Sequence, residues 1–206
     1  MGAMTPDYWN DAKRELTKRD PVMRKLVRRF PDAELRTRGN AFQTLARAIV
    51  GQQISTKAAQ SIWNRFAACA GDVSPKAIVT LDPVAMRACG LSNGKVAYIK
   101  DLASHFHTGE IRPRRWPRMP DEAIIEDLVR VKGIGRWSAE MFLLFYLMRP
   151  DVLPVGDLGL QRAMERAYNG GKPLTKDDMR RIGKPWSPWA SVGTWYMWRS
   201  LDEVNF

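Results

Sequence analysis

The stretch VKGIGRWSAEMF, residues 131–142, sets Gly133 and Gly135 on either side of one residue and then turns at once to helical chemistry. Ahead of it, Asp121 is expected to cap a helix over Glu122–Val131; behind it, Arg136–Leu147 resumes as helix. The segment therefore reads as two helices joined by a tight turn. Glycine tolerates the positive φ angles such a turn needs, and its missing side chain lets another backbone come close. Gly133 and Gly135 then expose main-chain N–H groups just ahead of the second helix, whose N-terminus adds partial positive charge. Lys132 and Arg136 flank these donors, and Ser138 adds a hydroxyl. The arrangement suits one phosphate, gripped for position and not for sequence. An ordinary helical hairpin with a glycine C-cap is the competing reading.

Outward from the turn the chain is helical nearly throughout. Tyr8–Arg19 and Pro21–Phe30 form two short helices, with Pro21 suited to a first turn. Phe42–Gln53 places Phe42, Leu45, Ala46, Ile49 and Val50 on one face. Ser55 is the expected N-cap of a helix running to about Ala70. Helices over Pro75–Leu81, Pro83–Cys89 and Asn93–Thr108 follow, then GEIRPRRWPRMP (109–120), a proline-broken basic connector. Beyond RPDVLPVGD lie Leu160–Tyr168, Lys176–Ile182 and a Trp-rich helix from about Pro188 to Leu201. With no alternating strand and no repeat, the fold class is all-α.

Of 206 residues, 33 are Lys or Arg against 22 acidic, a net charge of +11 that points to a polyanionic partner. At 45% apolar, the chain can fill a core. Two cysteines, Cys69 and Cys89, are too few for a disulfide framework, a zinc site or an iron–sulfur cluster, and read as buried thiols of a cytosolic protein. No apolar run reaches the length of a membrane span. No signal peptide precedes the basic Thr5–Arg19 segment, and MGAM at residues 1–4 reads as an expression scar.

Together with LPVGDLGLQR (153–162), the stretch resembles the helix-hairpin-helix (HhH-GPD) DNA glycosylase superfamily, and within it the 3-methyladenine DNA glycosylase II branch. AIVGQQIST (48–56) resembles that branch's early GQ segment, and WSPWASVGTWYMWRS (186–200) its C-terminal W-x-P-W stretch. The resemblance spans about residues 42–200. It implies a two-lobed helical fold with the helix-hairpin-helix between the lobes and DNA bound across the cleft. Here 42–147 would form the central lobe and 5–41 with 148–206 the second, a minimal catalytic core. It also implies that Asp157 is catalytic. A carboxylate at this point can stabilise the cationic sugar that develops as an N-glycosidic bond breaks, and can orient water. Alkylated purines already carry a positive charge while attached, leave as neutral bases when they take the bonding pair, and need little general acid. Asp157 would also cap the helix beginning near Gly159, whose dipole favours a negative charge there.

Strand-cutting members of the superfamily carry a lysine two residues after the second glycine, forming a Schiff base. Trp137 stands at that position, so the expected enzyme is monofunctional, with no lyase activity. The resemblance puts Trp137, Trp198, Met141 and Leu158 around the flipped base; Trp9, Trp63, Trp116, Trp186, Trp189 and Trp195 are read as structural. Gln52 and Gln53 fall in the DNA-contacting GQ segment, with Gln53 the candidate wedge for the vacated stack and ordinary cap roles the alternative. The carbonyls of Val129, Val131 and Ile134 match positions that hold a monovalent cation; no other cofactor and no iron–sulfur cluster is implied. His105 and His107 read as surface or packing residues. The expected protein is thus a cytoplasmic monomer (nucleoid-associated in a bacterium) acting on double-stranded DNA with damaged bases. The competing functions are the same fold acting on uracil or hypoxanthine, and a non-catalytic DNA-binding module.

Overall fold

The computed structural model describes residues 5–32, 34–35 and 40–201; the expected scar at 1–4 lies outside them. Among these residues the protein is helical, without a strand. Contacts divide the chain into two compact units, Arg38–Phe142 and Met1–Thr37 with Leu143–Phe206, whereas the sequence reading set the division at 42 and 147.

The first of these holds α3 (Ala41–Gly51), α4 (Thr56–Ala70), α5 (Pro75–Thr80), α6 (Pro83–Ala88), α7 (Asn93–His107), α8 (Asp121–Val129) and the start of α9 (Arg136–Phe145). The apolar face of α3 is buried as its spacing demands: Phe42, Leu45, Ala46, Ile49 and Val50 are all nearly inaccessible. It packs on α4 and α7. An aromatic chain of edge contacts, Phe42–Phe106–Trp116–Phe142, with ring centroids 5.5, 6.3 and 5.2 Å apart, ties α3 to α7, the connector and α9. Short polar residues start the helices: Asn40, Ser55, Ser74, Asp82 and Ser92 each accept a backbone N–H two or three residues on. Such a cap contributes about 1 kcal/mol.

The other unit holds α1 (Trp9–Arg19), α2 (Pro21–Arg29), the end of α9, α10 (Leu158–Tyr168), α11 (Lys176–Gly183) and α12 (Ala190–Arg199). Trp9 stacks on Tyr196 at 6.2 Å and meets Trp195 edge-on at 5.5 Å. Asp20 is buried and fully engaged. It caps α2 through Val22 and Met23 N–H and accepts the Tyr168 hydroxyl at 2.6 Å and the Trp186 indole N–H at 2.9 Å.

Several sequence expectations need correction. Asp121 does not cap α8; Pro120 holds that position without a side-chain cap, and Asp121 lies in the first turn, where the dipole still favours its charge. Helix α3 stops at Gly51, where the C-cap Gln52 turns to ψ 130° and Gln53 follows with a left-handed φ of 58°. The connector contains a 3-10 helix over Pro113–Arg118. Helix α10 starts at Leu158, two residues early, because Asp157 caps it. Cys69 is exposed and only Cys89 is buried, since Cys69 falls on the outer side of the last turn of α4. No helix among the described residues is long and apolar enough to cross a membrane.

Candidate nucleic-acid and catalytic site

The two glycines of the hairpin turn have different reasons to be glycine. Gly133 has φ 81°, and a Cβ there would stand 2.2 Å from the Tyr98 ring; both facts exclude a side chain. Gly135 has ordinary φ and nothing within 4 Å of its missing Cβ, so it leaves the head of α9 bare and open to approach. The turn is pinned from two sides. Gln52 Nε2 donates to the Gly133 carbonyl at 2.8 Å, and Lys132 N–H donates to Asp101 Oδ2 at 2.9 Å. Lys132 itself is 72% exposed, its ammonium 3.7 Å from Asp101.

Arg136 departs from the sequence reading. Its guanidinium grips Glu122 with two nitrogens, one at 2.8 Å, and its Nε donates to Glu140 at 3.1 Å. That pairing raises the guanidinium's affinity for its proton and holds the Glu122 carboxyl below the usual carboxylate range. Arg136 therefore clamps α8 to α9.

A cavity of about 580 Å³ opens beside the turn, within the size range of small-ligand sites. Its lining gathers seven of the residues singled out from sequence: Gln52, Gln53, Gly133, Gly135, Trp137, Ser138 and Met141. Ala48 and Gly51 complete it, small residues of α3 that belong to the quoted GQ segment. Trp137 is half exposed, a large apolar surface left open to solvent at a cavity mouth. Lys95 on α7 donates to the carbonyls of Val50 and Gln52, each at 2.8 Å, closing the end of α3 with a cation. Gln53 follows, exposed and left-handed, an uncommon conformation for a residue other than glycine. Of the two glutamines, Gln52 braces the turn and Gln53 projects.

Asp157 lies in the other compact unit. Its Oδ1 accepts the Leu160 N–H at 2.6 Å and the Trp198 indole N–H at 2.8 Å. Trp198, expected as a pocket wall, is thus a hydrogen-bond partner of the carboxylate. Its ring stacks on Phe145 at 5.7 Å with 15° between planes. Gly159 fits beneath the pair: a Cβ there would stand 3.1 Å from Asp157 Oδ1 and 3.4 Å from the indole. Leu158 is 67% exposed. The loop leading to Asp157 is held by the head of α12. Ser191 Oγ donates to the Arg149 carbonyl at 2.6 Å and accepts Val152 N–H at 2.9 Å, while Asp151 accepts from Ser187 and Ala190. Phe145 escaped the sequence reading, although it continues the i, i+4, i+8 face of Trp137 and Met141.

His105 pairs with Glu110 at 3.0 Å and Asp101 at 3.5 Å, a packing role near the base of the hairpin. Among the described residues no group of three or more His, Cys, Asp or Glu gathers as a metal cluster. The Val131 carbonyl accepts the Ile134 N–H at 3.1 Å within the turn.

The model of the HhH-GPD superfamily of base excision DNA repair proteins matches residues 46–188. The DNA-3-methyladenine glycosylase 1 of Schizosaccharomyces pombe is 32% identical over 186 residues, covering 88% of this chain and 82% of that protein. The crystal structure of a DNA-3-methyladenine glycosidase from Bacillus halodurans superposes with a TM-score of 0.87 at 32% identity, covering 99% of this chain and 94% of that one. The S. pombe 3-methyladenine DNA glycosylase in complex with abasic DNA gives 0.79 at 30% identity, covering 95% and 98%.

Proposed function

The chain belongs to the HhH-GPD superfamily of base excision DNA repair proteins, and on that premise we propose that it is a monofunctional DNA glycosylase for alkylated bases of the 3-methyladenine and 7-methylguanine type. The observation that carries the reading is Asp157: a carboxylate oxygen fixed by a helix N-terminus and an indole N–H. A carboxylate so oriented needs no reorganisation as positive charge grows on a sugar, which is where preorganised electrostatics act most strongly. It can also direct the attacking water.

In this reading the hairpin N–H groups of Gly133, Gly135 and Arg136 hold a DNA phosphate. Trp137, Ser138 and Met141 line the cavity for the extruded base. A cationic alkylpurine stacked on one indole gains about 1–2 kcal/mol, offsetting part of the few kcal/mol that flipping costs. Gln53 fills the vacated stack, its amide able to hydrogen-bond the opposite base. Leu158 covers the carboxylate's approach with apolar surface. The carbonyls of Val129, Val131 and Ile134 offer hard oxygen donors for a monovalent cation; Val131 keeps one lone pair beyond its turn hydrogen bond. Bound there, such a cation would add positive charge beside the phosphate. With Trp137 in place of an amine nucleophile, the product is an intact abasic site.

The test is incubation of wild type and Asp157→Asn with methylated duplex DNA, released bases being identified and abasic sites revealed by alkali. Asn keeps the cap, so the variant should fold and bind DNA while excision falls by at least about 10²-fold. Equal release by both proteins removes Asp157 from catalysis. Release of neither methylated base, with DNA binding intact, turns the substrate search to uracil and hypoxanthine. Borohydride trapping of a protein–DNA adduct would overturn the monofunctional assignment.

A further inference from the structure

The proline-broken basic connector of the sequence is not absorbed by the site above. Its 3-10 helix, Pro113–Arg118, has three residues per turn, so side chains three apart eclipse one another and the segment has three distinct rows. One row is Pro113, Trp116 and Met119. It is turned inward: Trp116 is 1% exposed and packs on Phe106 and Phe142. A second row is Arg112, Arg115 and Arg118, all exposed. Arg114, exposed as well, heads the third.

The second row has the properties of a fixed cationic edge. Pro113 and Pro117 restrict the backbone, and the buried indole anchors it. The Arg115 N–H to Arg112 carbonyl bond, 2.9 Å, and the Met119 N–H to Trp116 carbonyl bond, 3.0 Å, lock the turns. Among the described residues, Arg114, Arg115 and Arg118 have no ion pair or side-chain hydrogen bond; Arg112 donates only Nε, to the Gly109 carbonyl. Of the acids near the row, Glu110 pairs with His105 and Arg130, and Glu122 with Arg136. Within the helix the Arg115 and Arg118 stems are about 6 Å apart along the axis, comparable to the separation of consecutive phosphates along one strand, and Arg112 leads into them from the extended N-cap position. Helix α8, nine residues or about 13 Å long, connects this row to the hairpin turn. That length corresponds to about four nucleotides of strand rise.

We propose that Arg112, Arg115 and Arg118 form a rail for the phosphate backbone of duplex DNA, reading no sequence and touching the duplex away from the damaged nucleotide. The proposal rests on the DNA-repair reading above. The rail adds affinity for undamaged DNA and so serves the search for lesions, while the hairpin and Asp157 serve the lesion itself.

The experiment is binding of the full chain to an undamaged duplex of about 20 base pairs across a salt series. Wild type is compared with Arg115→Gln/Arg118→Gln and with an equal-charge control, Lys172→Gln/Lys176→Gln. Each lost phosphate contact lowers the slope of log affinity against log salt by about 0.9, so the arginine pair should lower it by about 1.8. The control should leave the slope near wild type, and near-ultraviolet dichroism of buried Trp116 should show that the double variant is folded. A folded arginine variant with the wild-type slope overturns the rail and would leave the row to an acidic protein. So would a control that lowers the slope equally, because the effect would then be net charge. A wild type that fails to bind duplex DNA overturns the repair reading together with the rail; one that excises methylated bases while the arginine variant keeps its slope overturns the rail alone.

Discussion

Asp157 Oδ1 takes two donors with different consequences. The Leu160 N–H, at 2.6 Å, fixes the rotamer as in any N-cap; the Trp198 N–H, at 2.8 Å, ties that same oxygen to α12. Capping and catalysis, the two roles the sequence offers Asp157 together, are compatible at the level of one atom. Trp198→Phe keeps a ring to stack on Phe145 and removes only the N–H. A hydrogen bond to a charged group contributes about 1.5 kcal/mol, so single-turnover excision should slow about tenfold, with KM for methylated duplex close to wild type. A change confined to KM would mean that the indole serves the base, as the sequence reading had it. Nothing in the sequence links Trp198 to Asp157, 41 residues apart, beyond their places in separate motifs. Phe145 was more legible, because helical spacing from Trp137 and Met141 is visible in the letters.

At the scale of elements, the hairpin separates its two glycines. Gly133→Ala must place a methyl group inside the Tyr98 ring and hold alanine at φ 81°. Strain of that kind costs about 1–3 kcal/mol, a fall in Tm of about 5 °C for a chain of this size. Gly135→Ala meets open space at ordinary φ, so Tm should stay within about 1 °C while duplex affinity declines, since the new methyl lies where a backbone would approach. Thermal melts and filter binding of both variants check the contrast. Similar melts for the two would mean that the turn relaxes around Gly133. The helices themselves were legible because apolar spacing and Ser, Asn, Asp or Thr caps recur along the chain. Their ends were less so, for tertiary reasons. Lys95, 43 residues beyond Gln52, closes α3 two residues earlier than its own pattern suggests. Asp121 resembles a cap by composition, but Pro120 supplies the extended backbone that the position requires. Glu122, which holds the Arg136 guanidinium, lies 14 residues upstream, so that pairing is not visible in the letters of the turn.

At the scale of the whole chain, the compact unit that carries Asp157 is assembled from both ends of the sequence, and what joins them is polar as well as apolar. Asp20 caps α2 with Oδ1 and receives Tyr168 and Trp186 on Oδ2, partners 148 and 166 residues away. Burial, with Asp20 beside it, pushes the Tyr168 phenol well above its ordinary range, so the hydroxyl stays a donor throughout the working pH range. The capping role of a DP pair was readable beforehand; the other two donors were not, because they arrive from the far end of the chain. Asp20→Asn isolates them: the amide oxygen can still cap α2, while the amide nitrogen turns two N–H donors toward the hydroxyl and the indole. The part-buried Tyr168 hydroxyl and the buried Trp186 indole then lose their acceptor, costing about 3 kcal/mol in total, and Tm should fall by about 10 °C. Asp20→Ala loses the cap as well and should fall by about a further 1 kcal/mol. Calorimetry of the two variants decides the matter. A melt of Asp20→Asn within 2 °C of wild type, by the same size scaling, would mean that the Tyr168 and Trp186 donors find other acceptors, and that the remaining contacts, Trp9 with Tyr196 and Trp189 with Glu15 among them, suffice to hold the two parts together.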